Sequence, residues 1–247
     1  MSIKVSVLGA KGKMGSEVVK AINQAQDLEL VASIDQNDSF DLVKNSGCNV
    51  AVDFTTPDSV MTNIELLIKA GISPVVGTTG IDDKKIELIK KLCADNGNIS
   101  VRVVPNFSVG AILMMRFAKM ATKFYDSVEI IEYHHAQKVD SPSGTDVRTA
   151  KLIAQERKEN NLKNNPDATI SEIPGSRGSK IDGIPVHAVR MQGLVAHQEV
   201  IFGSSGENLT IRHDSFDRAS FMPGVLLAIR NINKIPGLTI GIDDLIK

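Results

Sequence analysis

Short apolar segments alternate with amphipathic ones over residues 1–105, and this alternation constrains the fold more than any other feature of the chain. Runs such as Ile3–Leu8, Leu28–Ile34 and residues 50–54 have the length of buried strands. The segment 16–26 carries apolar residues at helical spacing, and Thr56-Pro57 predicts the start of another helix. Because strands that alternate with helices pair in parallel, the pattern predicts an α/β fold with a Rossmann-type, doubly wound parallel sheet.

The pattern changes after Pro105. Residues 109–124 and 143–160 are predicted to be helical. Later come strand-like runs at 184–191, 196–202 and 208–214, with turn residues between them. The second half is therefore predicted to be an α+β domain with a mixed or antiparallel sheet.

A glycine-rich turn follows the first predicted strand and opens the first predicted helix. Such glycines permit a tight turn and let backbone N–H groups approach a pyrophosphate at the helix N-terminus. The GxxGxxG spacing alone is a weak signal, but its position between a strand and a helix makes it fairly specific. A plain tight turn is the alternative. We expect a dinucleotide to contact the whole turn, Gly9, Ala10, Lys11, Gly12, Lys13, Met14 and Gly15.

Two features of this region leave the choice between NADH and NADPH open. Asp35 ends the second predicted strand, where a carboxylate bonds a ribose hydroxyl, and this favours NADH. Lys11 and Lys13 offset the charge of a 2′-phosphate, although each is equally well explained as a solvated loop charge. We expect a site that accepts NADH through Asp35 and NADPH through Lys11.

Two further loops end predicted parallel strands, which is where open α/β sheets bind ligands. The fourth strand is followed by Gly77, Thr78 and Thr79. The fifth leads into Val104, Pro105, Asn106 and Phe107. Ordinary turn chemistry is the alternative explanation, and we expect both loops to contact the cofactor.

Residues 132–145 concentrate the polar chemistry of the second half. Histidine titrates near neutral pH, so His134 is a candidate proton donor, and Lys138 is a fixed cation that can hold a carboxylate. The turn of Ser143, Gly144 and Thr145 opens a predicted helix whose N–H groups and hydroxyls suit a carboxylate. The plain alternatives are solvent-facing rings at a strand end and a simple helix cap.

In these motifs and their order, over essentially the whole chain, the sequence resembles the dihydrodipicolinate reductase family. The resemblance rests above all on Glu132, His134-His135, Lys138, Asp140 and Pro142-Ser143-Gly144-Thr145. Supporting segments are 53–55, 77–80, 105–107, 184–187 and 193–199. The resemblance implies a reductase that transfers hydride from NADH or NADPH to 4-hydroxy-tetrahydrodipicolinate. The product would be tetrahydrodipicolinate, on the diaminopimelate route to lysine.

The resemblance also implies residue roles and an assembly. His134 and Lys138 are the implied catalytic residues. The implied contacts to a small dicarboxylate substrate are His135, Ser143, Gly144, Thr145 and Thr79. Because successive side chains on a strand point to opposite faces, a substrate role for both histidines predicts a bend after Tyr133. The implied assembly is a homotetramer built through the sheet of the second domain.

The same reasoning predicts the domain organisation. We expect residues 1–106 and 219–247 to form the dinucleotide-binding domain, because a chain that leaves a nucleotide fold often returns to close it. Residues 107–218 are expected to form the substrate-binding and oligomerisation domain.

Three positions depart from the family pattern. Val104, Ser141 and Asp146 stand where alanine, alanine and a small residue are usual. None of them removes a functional side chain. Asp146 adds negative charge beside the expected carboxylate site, which either weakens substrate binding or favours the helix N-terminus through its dipole.

Two other functions stay open on the sequence. A two-domain dehydrogenase acting on an amino acid would share the nucleotide domain but not the cluster of histidines, lysine and Ser-Gly-Thr. A non-catalytic protein that senses NAD(P) would keep the glycine turn and could lose the proton donor. The donor, the cation and the carboxylate turn are all present, which favours an enzyme.

Charge, segment lengths and residue spacing give no reason to expect a nucleic acid, a membrane or a metal ion as a partner. A net charge of −1 gives no reason to expect nucleic acid or an anionic membrane. No apolar run reaches the ~20 residues of a membrane span, and the N-terminus lacks a signal-peptide pattern. Cys48 and Cys93 lack metal-type spacing, and adjacent histidines rarely converge on one ion. We expect a cytoplasmic protein without a metal, in which His187, His197 and His213 are structural or peripheral.

Overall fold

The computed structural model describes residues 2–97 and 99–247. The first part of the chain contains β1 (Ile3–Leu8), α1 (Gly15–Gln24), β2 (Leu28–Ile34), α2 (Asp41–Lys44), β3 (Val50–Asp53), α3 (Val60–Lys69), β4 (Ser73–Val76), α4 (Asp83–Asp95) and β5 (Val101–Val103). The rest contains α5 (Val109–Ala121), β6 (Ser127–His135), α6 (Gly144–Glu159), β7 (Ser179–Ile181), β8 (Ile184–Met191), β9 (Ala196–Ser204), β10 (Glu207–Ser215), α7 (Met222–Asn231) and β11 (Leu238–Ile240).

The chain divides into two compact units. One comprises Met1–Val109 with Arg218–Lys247, and the other comprises Gly110–Asp217. Across residues 2–97 and 99–247, no helix is both long enough and apolar enough to cross a bilayer.

The first unit is built on a parallel sheet in the order β11-β5-β4-β3-β1-β2. Its central strands β3 and β4 are buried along their whole length, as expected when helices cover both faces of a sheet. One core cluster joins Val60 and Ile64 of α3 to Val76 of β4 and Ile89 of α4. The predicted Rossmann-type α/β architecture is confirmed.

The end of the chain is fastened to this sheet by a buried arginine. β11 pairs with β5 in parallel. Arg102 of β5 is 1% exposed and donates to the carbonyl of Gly241 at 2.8 Å and to Asp244 at 2.7 Å. Because a buried guanidinium needs partners for its donors, these bonds explain why the residues after β11 fold back onto the sheet.

The second unit is a mixed sheet in the order β10-β9-β6-β8-β7. β6 pairs in parallel with β8 and antiparallel with β9, and β10 and β7 are antiparallel edge strands. α6 packs on one face, where Val128, Ile130 and Phe202 are buried. The predicted second domain with a mixed sheet is confirmed.

Some local predictions are wrong in their bounds. The helix predicted from Thr56 begins at Val60, because Thr56 and Ser59 close a turn first, with the Ser59 N–H donating to the Thr56 carbonyl at 3.1 Å. The helix predicted over 109–124 ends at Ala121 and continues as a short 3₁₀ turn, Thr122–Phe124. The short elements α2 and β7 carry too few periodic residues to be read from the sequence.

Candidate functional site

The glycine turn of the first unit brings backbone unusually close to backbone. Gly9 has a φ of 77°, a left-handed conformation that favours glycine, and a Cβ on it would lie 2.4 Å from the Phe54 carbonyl oxygen. A Cβ on Gly15 would lie 2.0 Å from the Gly9 carbonyl oxygen. The turn therefore cannot hold side chains at these positions, and α1 begins directly behind it without a side-chain cap. This is the arrangement that a pyrophosphate needs at a helix N-terminus.

The remaining residues of the turn are accessible, and one of them is tied to Asp35. Lys11, Gly12 and Lys13 are exposed. The Lys11 N–H donates to Asp35 Oδ2 at 2.9 Å, and the Gln36 N–H donates to Asp35 Oδ1 at 2.9 Å. These bonds from Gln36 and Lys11 hold the pKa of Asp35 below its ordinary value. Asp35 is thus an ionised acceptor next to the turn, as bonding a ribose hydroxyl requires.

A fully buried carboxylate braces two loops at the carboxyl ends of β3 and β4. Asp53 Oδ1 accepts from the Thr55 hydroxyl at 2.7 Å and from the Thr78 hydroxyl at 2.6 Å. Asp53 Oδ2 accepts from Asn63 at 2.8 Å. The Thr78 side chain is buried and committed to this brace, whereas Thr79 beside it is exposed. Of the two threonines predicted to contact ligand, only Thr79 therefore presents its side chain at the surface.

Two aromatic rings cover Gly77. The rings of Phe54 and Phe107 lie 5.5 Å apart, and a Cβ on Gly77 would meet Phe54 at 2.2 Å. Phe107 is 3% exposed and Val104 is 2% exposed, so both are core residues. Within the same loop, Pro105 is exposed and Asn106 is half-buried, with Asn106 Oδ1 accepting from the Ser108 N–H at 2.8 Å. In this unit the open glycine turn, the ionised Asp35 and the braced loops fit a pyridine dinucleotide.

The second unit places His134 against a buried carboxylate. Glu132 is fully buried, and its Oε2 contacts Nδ1 of His134. The guanidinium of Arg190 binds both oxygens of the same carboxylate, at 2.8 Å and 3.1 Å. The Ser143 N–H donates to Oε1 at 2.9 Å. The Glu132 carboxylate of β6 therefore binds the His134 ring, the Arg190 guanidinium from β8 and the N–H of the residue that caps α6.

The charge of Glu132 follows from these partners. Burial raises the pKa of Glu132, but the interactions with His134 and Arg190 outweigh burial, so its pKa lies below the ordinary value. The carboxylate is ionised at neutral pH. An ionised acceptor on Nδ1 orients the ring.

The bend predicted after Tyr133 is absent. β6 continues through His135, which pairs with Met191 of β8. The ladder keeps the strand extended, so the side chain of His135 points to the face opposite His134. His135 is exposed, whereas the side chain of His134 is 14% exposed.

Lys138 lies just beyond the strand and is paired. Its Nζ donates to Asp140 Oδ1 at 2.7 Å, and its side chain is 19% exposed. This bond from Lys138 holds the pKa of Asp140 below its ordinary value. A substrate carboxylate that binds Lys138 therefore competes with Asp140 for the same ammonium group.

The predicted carboxylate turn begins α6. Ser143 is its N-cap and is 3% exposed, Gly144 is exposed, and Thr145 is half-buried. The Ser143 hydroxyl contacts Asp146 Oδ2, and the Asp146 N–H donates to Ser143 Oγ at 3.3 Å. The serine is thus engaged within the protein through both its N–H and its hydroxyl.

The later histidines are held by carboxylates. His187 Nε2 lies 2.7 Å from Glu129, and His197 Nδ1 lies 2.8 Å from Asp214. Burial lowers the pKa of His213, which packs against Gly110. In residues 2–97 and 99–247, no group of three or more His, Cys, Asp or Glu side chains is placed to hold a metal ion.

The sequence alone predicts no role for Glu132, Arg190 or Asp53. The sequence pattern does indicate that Glu132 is buried. Val128, Ile130 and Glu132 are alternate residues of one strand, so their side chains lie on the same face. Asp53 likewise ends a strand that is otherwise apolar. Arg190 carried no such signal, because only the parallel pairing of β6 with β8 brings it to Glu132.

Two family models match the chain. The model described as "Dihydrodipicolinate reductase, N-terminus" matches residues 3–107, and "Dihydrodipicolinate reductase, C-terminus" matches residues 110–246. The 4-hydroxy-tetrahydrodipicolinate reductase of Corynebacterium efficiens is 53% identical over 98% of each chain. That of Mycobacterium marinum is 54% identical over 99% of each chain.

Solved structures give the same likeness. The dipicolinate-bound dihydrodipicolinate reductase from Paenisporosarcina sp. TG-14 superposes with a TM-score of 0.87 and 37% identity over 99% of each chain. A probable dehydrogenase from Thermotoga maritima superposes with a TM-score of 0.64 at 11% identity over 98% of this chain and 92% of its own, which shows a shared fold alone.

Proposed function

Since the chain belongs to the dihydrodipicolinate reductase family and reduces 4-hydroxy-tetrahydrodipicolinate to tetrahydrodipicolinate by hydride transfer from a pyridine nucleotide, we propose that His134 donates the proton of that step and that Lys138 supplies the positive charge. The observation that carries this assignment is the buried Glu132 carboxylate, which holds the His134 ring. The reaction belongs to the diaminopimelate route of lysine biosynthesis.

The chemistry sets the requirement for a proton donor. Loss of the 4-hydroxyl group as water gives a ring with a conjugated imine–enamine system, and the bound nucleotide would supply a hydride to one carbon of that ring. Electron density then moves through the conjugated system and must be neutralised by a proton. With Nδ1 of His134 held by Glu132, the other ring nitrogen, Nε2, is the one we assign to deliver that proton.

Lys138 acts on the same substrate as a fixed charge. Its ammonium group binds a substrate carboxylate and stabilises the negative charge that develops during reduction. In the free protein Asp140 occupies this ammonium group. Asp140 is 53% exposed, so its pair with Lys138 is weakly held and can give way to a dianionic ligand.

Most of the remaining proposed substrate contacts lie close to these two residues in sequence. We assign substrate binding to Ser143, Gly144 and Thr145, and also to Thr79. His135 leaves the last position of β6 on the face opposite His134, so the contact that we propose for its exposed side chain requires the ligand to extend around the end of the strand. The exposure of Gly144 at the start of α6 supports a carboxylate there. The solved relative with bound dipicolinate supports a small dicarboxylate as the ligand.

The cofactor is a pyridine nucleotide, and we propose that both NADH and NADPH are accepted. The glycine turn would hold the pyrophosphate, and Asp35 would bond the ribose of NADH. Lys11 is exposed beside Asp35, where its side chain can meet a 2′-phosphate. The braced loops after β4 and β5 would complete the site.

We also propose the organisation of the whole protein. Residues 1–106 and 219–247 would bind the dinucleotide, and residues 107–218 would bind substrate and form a homotetramer. The sheet face opposite α6 supports this assembly, because it leaves Ile131, Val189 and Ile201 partly exposed. The buried free thiols of Cys48 and Cys93 support a reducing, cytoplasmic location.

The experiment that tests the function couples this protein to the synthase that makes its substrate and follows the absorbance of NADPH. Oxidation that requires both proteins is the expected result, and its absence would overturn the proposal. His134→Gln and Lys138→Ala should each lower kcat by about 10² or more, while NADH still binds. Near-normal turnover in either variant would remove that residue from its role.

A further inference from the structure

Asp146 is a carboxyl group buried at the expected substrate-carboxylate turn. It lies in the first turn of α6 and has no solvent exposure. Its Oδ2 contacts the Ser143 hydroxyl, whereas its Oδ1 is buried with no hydrogen-bond partner in the described part of the chain. An ionised carboxylate in this environment would be strongly disfavoured.

An ordinary capping box does not account for this placement. In such a box the acid at the third helical position accepts the N–H of the N-cap serine. Here the Ser143 N–H donates to Glu132 at 2.9 Å instead. The side chain of Asp146 therefore lacks the Ser143 N–H as a donor, and it lies beside the ionised carboxylate of Glu132.

Burial, more than the charged groups around it, keeps Asp146 in its neutral form up to about pH 7. Burial is the main cause that raises the pKa of Asp146 to about 7. The Ser143 hydrogen bond opposes this, the Glu132 charge on β6 adds to it, and His134 on β6 opposes it. The positive charge of Arg190 on β8 is bound to Glu132.

The protonation state of Asp146 decides what the Ser143 hydroxyl can do. The Asp146 N–H already occupies one lone pair of Ser143 Oγ. If Asp146 is ionised, the single hydroxyl proton of Ser143 must point to Asp146 Oδ2. If Asp146 is protonated, Asp146 can donate instead, and the Ser143 hydroxyl is free to donate to a substrate carboxylate. Protonation also removes a negative charge from the place where that carboxylate binds.

We propose that Asp146 determines the affinity of the Ser143–Thr145 turn for carboxylate ligands, because it must hold a proton when a dicarboxylate is bound. Binding then takes up a proton from solvent. This inference rests on the proposed function, since it uses the same substrate turn. Asp146 would then control affinity, in addition to the roles proposed for His134 as proton donor and Lys138 as positive charge.

The test is the pH dependence of dipicolinate binding, measured by calorimetry from about pH 6 to about pH 9. Asp146→Asn is the matched variant, because asparagine has the shape of the neutral acid and cannot ionise. Wild-type affinity should fall relative to Asp146→Asn by about tenfold for each pH unit above about 7, as linkage to one proton requires. The two proteins should bind similarly at about pH 6.

Two controls separate Asp146 from its neighbours. His134→Gln removes the imidazole that contacts Glu132 and should keep the steep loss of affinity at high pH. Asp140→Asn removes another acid close in sequence. Because the bond from Lys138 holds the pKa of Asp140 below its ordinary value, this acid does not titrate in the range measured, and the slope should again persist. Equal slopes in the wild type and Asp146→Asn would overturn the proposal.

A second measurement does not depend on the Asp146 variant folding. The heat of dipicolinate binding to His134→Gln at about pH 8, in buffers with different ionisation enthalpies, should report uptake of close to one proton. No uptake would overturn the proposal. Wild-type protein that fails to bind dipicolinate at about pH 6 would overturn the proposed function as well. Normal binding there, with slopes unaffected by Asp146→Asn, would overturn this inference alone.

Discussion

Replacing Glu132 by glutamine tests whether the buried carboxylate orients the proton donor. The substitution keeps the shape of the side chain and removes its charge. Three groups lose an ionised acceptor: the His134 ring, the Arg190 guanidinium and the Ser143 N–H. The change therefore acts on catalysis through His134 and on stability through the other two.

The loss of stability should be moderate. Hydrogen bonds to a charged group contribute about 1.5–3 kcal/mol each, and removing one partner of a buried pair costs more. Arg190 is 21% exposed and keeps the Asp140 and Val189 carbonyls as partners. We therefore expect Glu132→Gln to lower the free energy of unfolding by about 2–3 kcal/mol near neutral pH.

The pH dependence of that loss has a definite sign. The pKa of Glu132 is lower in the folded protein than its unfolded value of 4.5. The stability that its charge contributes is present above that value and disappears as the pH falls through the folded pKa. The difference between wild type and Glu132→Gln should therefore shrink in acid.

The effect on catalysis should be larger. A positioned general acid contributes about 10²–10⁴ to the rate. Glutamine offers Nδ1 of His134 no ionised acceptor that fixes its ring, so kcat should fall by about 10², with little change in the Kd of NADH. The split between kcat and binding distinguishes a positioning role from a general loss of structure.

Glu129→Gln is the matched control. Glu129 lies on the same strand and likewise binds an arginine and a histidine, Arg177 and His187. It faces the opposite side of the sheet, because it is three residues from Glu132. Its replacement should leave kcat within about threefold of the wild type. A similar loss of kcat in both variants, or an unchanged kcat in Glu132→Gln, would refute the reasoning.

Four further predictions follow from other parts of the structure. Asp146→Asn should stabilise the protein relative to wild type by up to about 4 kcal/mol at pH 8 and not at pH 4, measured by urea unfolding. The reason is that the pKa of Asp146 is about 7 in the folded protein and 3.8 in the unfolded chain. The free energy of unfolding of the wild type therefore falls as the pH rises between those two values. Asp140→Asn should tighten dipicolinate binding by a few fold, because it frees Lys138 from an exposed pair worth up to about 1 kcal/mol. Lys11→Ala should lower kcat/KM for NADPH and leave that for NADH, and equal losses would remove Lys11 from the 2′-phosphate site. Ile131→Lys should yield a species smaller than a tetramer in light scattering, and an unchanged mass would exclude that sheet face.

What could be predicted from the sequence was mostly local. The glycine turn lies between adjacent elements, and Asp35 follows the next strand, so their proximity needs no knowledge of long-range pairing. The segment 132–145 likewise carries its proton donor, cation and helix start in one stretch. By contrast, the Asp53 brace and the Arg190 contact depend on which strands become neighbours. The bend after Tyr133 was wrong for the same reason, because pairing with β8 keeps β6 extended.

Ser143 stands between two buried carboxyl groups, and their partners explain why they hold different charges. Two carboxylates in one buried site cannot both be ionised at low cost. The Arg190 guanidinium, the His134 ring and the Ser143 N–H all bind Glu132. Asp146 is left with the Ser143 hydroxyl and with an oxygen that has no partner in the described part of the chain, so below about pH 7 the proton resides on Asp146 rather than on Glu132. The ionised Glu132 can then orient the proposed proton donor, while Asp146 in its neutral form keeps negative charge away from the turn proposed to receive the substrate carboxylate.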